Sequence, residues 1–117
     1  MNESNQHTRR INMEYKFTNA NFKQEVLESS VPVMVDFYAE WCGPCRMMGP
    51  VVEKLAGEYE GRAKIGKVNS DEEEELAGQY NVMSIPDILF FKNGKVVDQV
   101  VGAVPESVLK EKLDALL

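Results

Sequence analysis

The chain has 117 residues, which suits one domain and leaves little room for a second. Apolar residues make up 44% of it, which excludes a disordered chain and supplies a core that needs no disulfide staples. The net charge of −6, with lysines and arginines scattered, excludes nucleic acid or an anionic membrane as the natural partner surface.

Residues 1–12 are polar and are expected to form a disordered extension ahead of a single domain over 13–117. The one tight basic pair, Arg9-Arg10, and the only histidine, His7, both fall in this stretch, where solvated coil is the expected state. The stretch lacks the apolar centre and small-residue cleavage site of a signal peptide, and no segment reaches the ~20 apolar residues of a membrane span. A cytoplasmic location is therefore expected, where reducing conditions keep thiols free.

From Met13 the pattern becomes regular. Residues 14–18 read as a short strand. Residues 19–29 read as a helix, with Phe22, Val26 and Leu27 at helical spacing and Thr18 or Asn19 as its cap. Residues 31–38, Val-Pro-Val-Met-Val-Asp-Phe-Tyr, form the near-continuous apolar run of a strand buried on both faces. A long helix over 42–59 follows, with a kink expected at Pro50 because proline removes one backbone hydrogen bond. Residues 63–69 read as a strand and 71–80 as a short helix. The acidic run 71–75 suits a first helical turn facing water, where carboxylates complement the helix dipole. Asp87–Lys92 and Lys95–Val101 are strands joined by Asn93-Gly94, the strongest short hairpin signal. Residues 105–117 form an amphipathic helix with Val108, Leu109, Leu113 and Leu116 on one face and Pro105 in its first turn.

The order β-α-β-α-β-α-β-β-α specifies an α/β fold. Early βαβ crossovers imply parallel strands, and the late hairpin implies antiparallel ones. The result is one mixed five-stranded sheet, a parallel core plus an antiparallel C-terminal hairpin, flanked by four helices on both faces.

Both cysteines of the chain stand in Trp41-Cys42-Gly43-Pro44-Cys45, directly after the apolar strand. Two thiols separated by two residues close a small disulfide with little backbone movement. So short a loop constrains the unfolded chain far less than a long-range bridge, so the pair suits making and breaking a bond. Near a βαβ pattern such a pair reads as a redox motif. Met47 and Met48 read as adaptable core fillers, and two Cys without a nearby His fall short of a closed zinc site.

With these residues in view, the chain resembles the thioredoxin family. The motif Trp41-Cys42-Gly43-Pro44-Cys45 matches its active site in every residue. So do Val35-Asp36-Phe37, Ile85-Pro86, Phe91-Lys92-Asn93-Gly94 and Val101-Gly102-Ala103, and the resemblance spans 13–117. It implies the thioredoxin fold and a protein-disulfide reductase that works by dithiol–disulfide exchange. No cofactor is bound; the Cys42–Cys45 disulfide is the redox group. The implied partners are a thioredoxin reductase, with electrons ultimately from NADPH or ferredoxin, and disulfide-containing proteins. No nucleic acid and no membrane is involved, and the expected state is a monomer.

Cys42, at the junction of strand and helix, is the expected nucleophile, because free N–H groups and the helix dipole stabilise a thiolate in an exposed, electropositive setting. Cys45, one turn later, is the resolving thiol. Asp36 interrupts an apolar strand, so burial should raise its pKa towards neutrality and fit it to accept the Cys45 proton. Lys67 matches the family lysine that partners this aspartate. Gly43 and Pro44 form the active-site loop, which Pro44 stiffens. Pro86 resembles the family's cis-proline, which keeps metal away from the thiols, and the backbone of Ile85 would pair with substrate like an added strand. Trp41, Ile85, Pro86, Gly102 and Ala103 would make a shallow apolar rim for substrate.

Two departures stand out. Tyr38 replaces a frequent Trp, one large aromatic for another. Asp87 stands where the family usually has Thr. Near the dithiol it would oppose thiolate formation and select basic substrates; at the strand start it would simply face solvent, and the sequence leaves both open. Other functions are a non-catalytic interaction or subunit module with dispensable thiols, or a disulfide oxidase or isomerase. The complete set of Asp36, Cys42, Cys45 and Pro86 opposes the first, and the Gly-Pro pair opposes the second.

Overall fold

The computed structural model describes residues 13–117; the expectations for residues 1–12, including His7 and Arg9-Arg10, lie outside the described residues. In chain order the elements are β1 (Tyr15–Lys16), α1 (Lys23–Leu27), β2 (Val33–Tyr38), α2 (Gly43–Glu58), β3 (Lys64–Asn69), α3 (Glu74–Gln79), β4 (Asp87–Lys92), β5 (Lys95–Val101) and α4 (Glu106–Asp114). The strands form one sheet in the order β1-β3-β2-β4-β5. Strand β3 runs parallel to both β1 and β2, whereas β4 is antiparallel to β2 and to β5. The mixed sheet with helices on both faces is the architecture that the element order implies.

Side-chain alternation sorts the sheet into two cores. Met34, Ile65, Ile88 and Phe90 point to one face, where they meet Met48, Val52 and Leu55 of α2 and Leu109 and Leu113 of α4. Val33, Val35, Phe37, Val68, Leu89 and Phe91 point to the other, against Phe17, Phe22, Val26 and Leu76. Covering on both sides explains why β2 is apolar at nearly every position, and why Asp36 within it stands out.

Strand ends differ from the periodic reading where side chains capture backbone groups. Asn21 Oδ1 accepts the Thr18 N–H at 2.8 Å, while the Asn21 N–H donates to Thr18 Oγ1 at 3.3 Å. This closed turn ends β1 early and delays α1, which is a short π-type segment rather than a helix over 19–29. Asn69 Oδ1 accepts the N–H groups of Asp71 and Glu72 at 3.0 and 3.3 Å, so α3 begins at Glu74 rather than 71. The hairpin matches expectation: Asn93 and Gly94 have φ of 54° and 80°, the left-handed pair of a type I′ turn. Gly66 is fixed by space instead. A Cβ there would lie 2.5 Å from the Tyr15 carbonyl oxygen, so only glycine lets β1 close on β3.

Candidate functional site

The dithiol sits where β2 hands over to α2. Cys42 is the N-cap of that helix, with extended backbone at φ −86° and ψ 116°, and its Sγ accepts the Cys45 N–H at 3.2 Å. A helix start leaves its first N–H groups without intrahelical acceptors, and this sulfur takes one of them. Pro44 stands at the start of the helix, where its missing N–H costs nothing. The same geometry that caps the helix therefore stabilises negative charge on Cys42 once the bridge opens. The two sulfurs are bonded, with Cα atoms 5.2 Å apart. Pro50 lies inside α2, which runs unbroken to Glu58.

Cys42 departs from the exposed setting expected of it: it is 4% exposed and Cys45 5%. They pack with Ala39 and against Tyr38 and Ile85. The apolar neighbours that shape the site also cover its sulfur, while Trp41, Gly43 and Pro44 on either side remain exposed. The bridge thus lies just beneath an accessible rim. Cys42 Sγ is 3.7 Å from the Ile85 carbonyl oxygen. A disulfide sulfur carries no proton, so in this oxidised state that approach is a contact; a thiol there would have an acceptor waiting.

Of the residues expected at the rim, Ile85 packs against the two cysteines. Trp41 is 66% exposed, which excludes a core role for it. Its indole N–H donates to Asp71 Oδ2 at 2.9 Å. Ile85 is half-buried, and the Ile85–Pro86 peptide is cis. The Gly102 N–H donates to the Pro86 carbonyl at 2.8 Å, which draws Gly102 and the exposed Ala103 to the same edge. Gly102 has φ +96°, a left-handed conformation suited to glycine. Two methionines are also exposed, Met47 at 70% and Met83 at 89%. Met48 fills the core as expected; Met47 does not, because it falls on the outer face of α2.

The acidic run is also less uniformly solvated than its composition implies. Asp71 holds the Trp41 indole, and Glu73 Oε1 accepts the Asn19 N–H at 2.9 Å. Sequence reading missed Asp71 because the contact spans thirty positions of chain; no local pattern carries it.

Asp36 is 1% exposed, and neither carboxylate oxygen has a hydrogen-bond partner. Burial is the chief cause that raises its pKa to about 7, with the Lys67 charge opposing and the Glu14 charge assisting. Parallel pairing of β2 and β3 puts Asp36 and Lys67 directly opposite each other. Lys67 Nζ nevertheless lies 3.9 Å from Glu14 Oε1 and 4.9 Å from the centre of the Tyr38 ring. A pocket of about 140 Å³, roomy enough for water, is lined by Cys45, Tyr38 and Lys67 among others. Tyr38 thus serves as a wall of the site.

Asp87 is 2% exposed, so it does not face solvent at the strand start. Both carboxylate oxygens accept from Gln99 Nε2, at 2.9 and 3.2 Å. Burial raises its pKa and this hydrogen bond opposes the rise. By alternation along β4, Asp87 shares the face of Leu89 and Phe91, opposite to the one that α2 covers.

A family model described as thioredoxin matches residues 14–115. The chain is similar to thioredoxin 1 of Nostoc sp. strain PCC 7120, 56% identical over 97 residues, covering 83% of this chain and 91% of that protein. It is similar to thioredoxin 1 of Synechococcus elongatus, 57% identical over 97 residues, covering 83% and 91%. It is similar to the thioredoxin of Chlorobaculum thiosulfatiphilum, 53% identical over 100 residues, covering 86% and 93%.

Proposed function

The chain belongs to the thioredoxin family and is a thiol-disulfide oxidoreductase whose redox group is the Cys42–Cys45 disulfide, and we propose the following division of labour among its residues. In the reduced protein the Cys42 thiolate attacks a substrate disulfide. A Cys42–substrate bond forms and the first substrate sulfur leaves as a thiolate with its electron pair. Cys45 passes its proton to Asp36 and attacks Cys42 Sγ. The Cys42–Cys45 bond forms and the second substrate sulfur departs. Two electrons have moved from the dithiol to the substrate.

The observation that carries this reading is the capping geometry: one sulfur at a helix N-terminus accepting an N–H, its partner one turn inside. Asp36 suits the acceptor role because its oxygens are unpartnered and it titrates near neutrality. Lys67 limits that rise. Trp41, Ile85, Pro86, Gly102 and Ala103 form the docking rim, with Ile85 offering backbone to an extended substrate segment. Gly43 and Pro44 keep the loop short. Asp87, tied to Gln99 beneath the opposite face, supports the sheet more than it tunes the thiol.

Thioredoxins in general have a reductase and disulfide-bearing proteins as partners. For this chain we assign a reductase that opens the Cys42–Cys45 bridge and protein disulfides as its targets, with the protein a cytoplasmic monomer whose rim stays free for them. Among the described residues no helix is long and apolar enough to cross a membrane.

Dithiothreitol-driven reduction of insulin tests the assignment. The parent should turn over, Cys42→Ser should lose essentially all activity, and Cys45→Ser should accumulate a mixed disulfide on Cys42. Retained turnover in Cys42→Ser would remove the proposed nucleophile, and a parent that fails to turn over would favour a binding role with dispensable thiols.

A further inference from the structure

Glu14 lies beside the site and has no part in the assignment above. It precedes β1 at the sheet edge, and alternation directs it, with Lys16, to the face that α2 covers, while Tyr15 and Phe17 turn to the opposite core. On that face Lys67 stands between two carboxylates. Asp36 is opposite it on β2, and Glu14 Oε1 is 3.9 Å from its Nζ. The Glu14 side chain is only 12% exposed, and its Oε2 is buried without a hydrogen-bond partner. The charged and titratable groups that face it are Lys67 of β3, Asp36 and Tyr38 of β2, Glu53 of α2 and Lys16 of its own strand.

A cleft of about 420 Å³ is lined by Glu14, Lys16, Tyr38, Glu53 and Lys67. The smaller pocket that reaches Cys45 is also walled by Tyr38 and Lys67. Lys67, its ammonium over the Tyr38 ring, thus lines both the Glu14 cleft and the pocket that reaches the resolving thiol.

We propose that Glu14 is a positioning residue for the resolving step, competing with Asp36 for the Lys67 ammonium so that ionising either carboxyl group strengthens the hold of the other on its proton. The proposal rests on the role given to Asp36 above. One cation offsets one carboxylate; the second must ionise in a desolvated place against a like charge. Glu14 is raised to about 7 by burial first, with Lys67 opposing and Glu53 adding to the rise, which is the range in which Asp36 also titrates. Two such groups titrate as a pair rather than singly. With Glu14 ionised, Asp36 keeps a stronger affinity for the proton that Cys45 must surrender.

The test is a carboxyl-carbon NMR titration of the full oxidised chain, in which neither thiol titrates. In Glu14→Gln the Asp36 midpoint should fall by about half a pH unit or more, because a like charge is gone and Lys67 is free to serve Asp36 alone. Glu14→Asp should restore part of the parent midpoint. In Lys67→Gln both carboxyl midpoints should rise. An Asp36 curve that superimposes on the parent in Glu14→Gln would overturn the proposal, as would unchanged midpoints in Lys67→Gln. A structural role for Glu14 would change the melting temperature and leave the midpoint in place. The readout needs no turnover. Should Asp36→Asn leave the pH profile of the resolving step unchanged, the acceptor role fails while the coupling stands or falls on its own curve.

Discussion

Replacing Asp36 by Asn should stabilise the protein relative to the parent, by an amount that grows as pH rises towards 7 and then stays constant. An unfolded aspartate ionises near 3.8, and in the fold Asp36 ionises near 7, chiefly because it is buried. Below 3.8 the carboxyl is neutral in both states and nothing distinguishes them. Between 3.8 and 7 the folded protein still holds a proton that the unfolded chain has released, so stability falls as pH rises; above 7 the loss levels off. The full loss is about 3 pKa units, or about 4 kcal/mol at ~1.4 kcal/mol per unit. Roughly a third of it is spent by pH 5, so the parent should lose about 2 to 3 kcal/mol more between pH 5 and 8.5. Asn keeps the shape, carries no charge and has no such slope. Urea unfolding of oxidised parent and variant across this range measures the difference. Glu14 titrates in both proteins, and losing the Asp36 charge lowers its midpoint in the variant, which adds to the difference in the same direction. A variant-minus-parent difference that stays flat within about half a kcal/mol would refute the claim that Asp36 resides in a desolvated site.

Gln99→Leu should cost about 1 to 3 kcal/mol by urea unfolding, because it leaves the Asp87 carboxylate buried and unpaired. Asp87→Thr should leave the Cys42 thiolate titration superimposable on the parent's, since its carboxylate is engaged under the other face; a displaced curve would assign it a direct influence on the thiol. Gly66→Ala should destabilise by at least about 2 kcal/mol and loosen β1, which hydrogen exchange at Phe17 and Lys67 would report. Asp71→Ala should free the Trp41 indole and raise KM for insulin about two- to tenfold with little change in kcat. A change confined to kcat would place Asp71 in the chemistry instead of the rim.

The residues by themselves determined the order of elements, the mixed sheet, the hairpin turn and the placement of both cysteines at a helix start. Each of these rests on short-range physics: alternation of two, spacing of 3.6, left-handed backbone at Asn93-Gly94, a pair of thiols one turn apart. Asp36 was legible for a related reason, since a lone carboxylate in a doubly covered strand has nowhere polar to go. What the chain could not disclose were contacts between positions far apart. Whether Cys42 is open or covered depends on Ile85 and Ala39 closing over it. Whether Asp87 meets solvent or Gln99 depends on the β4–β5 register. The competition of Glu14 and Asp36 for Lys67 exists only because three strands lie side by side and aim these groups at one face. Charge felt through a buried, weakly screening interior is set by distance in space, and the sheet alone fixes that distance.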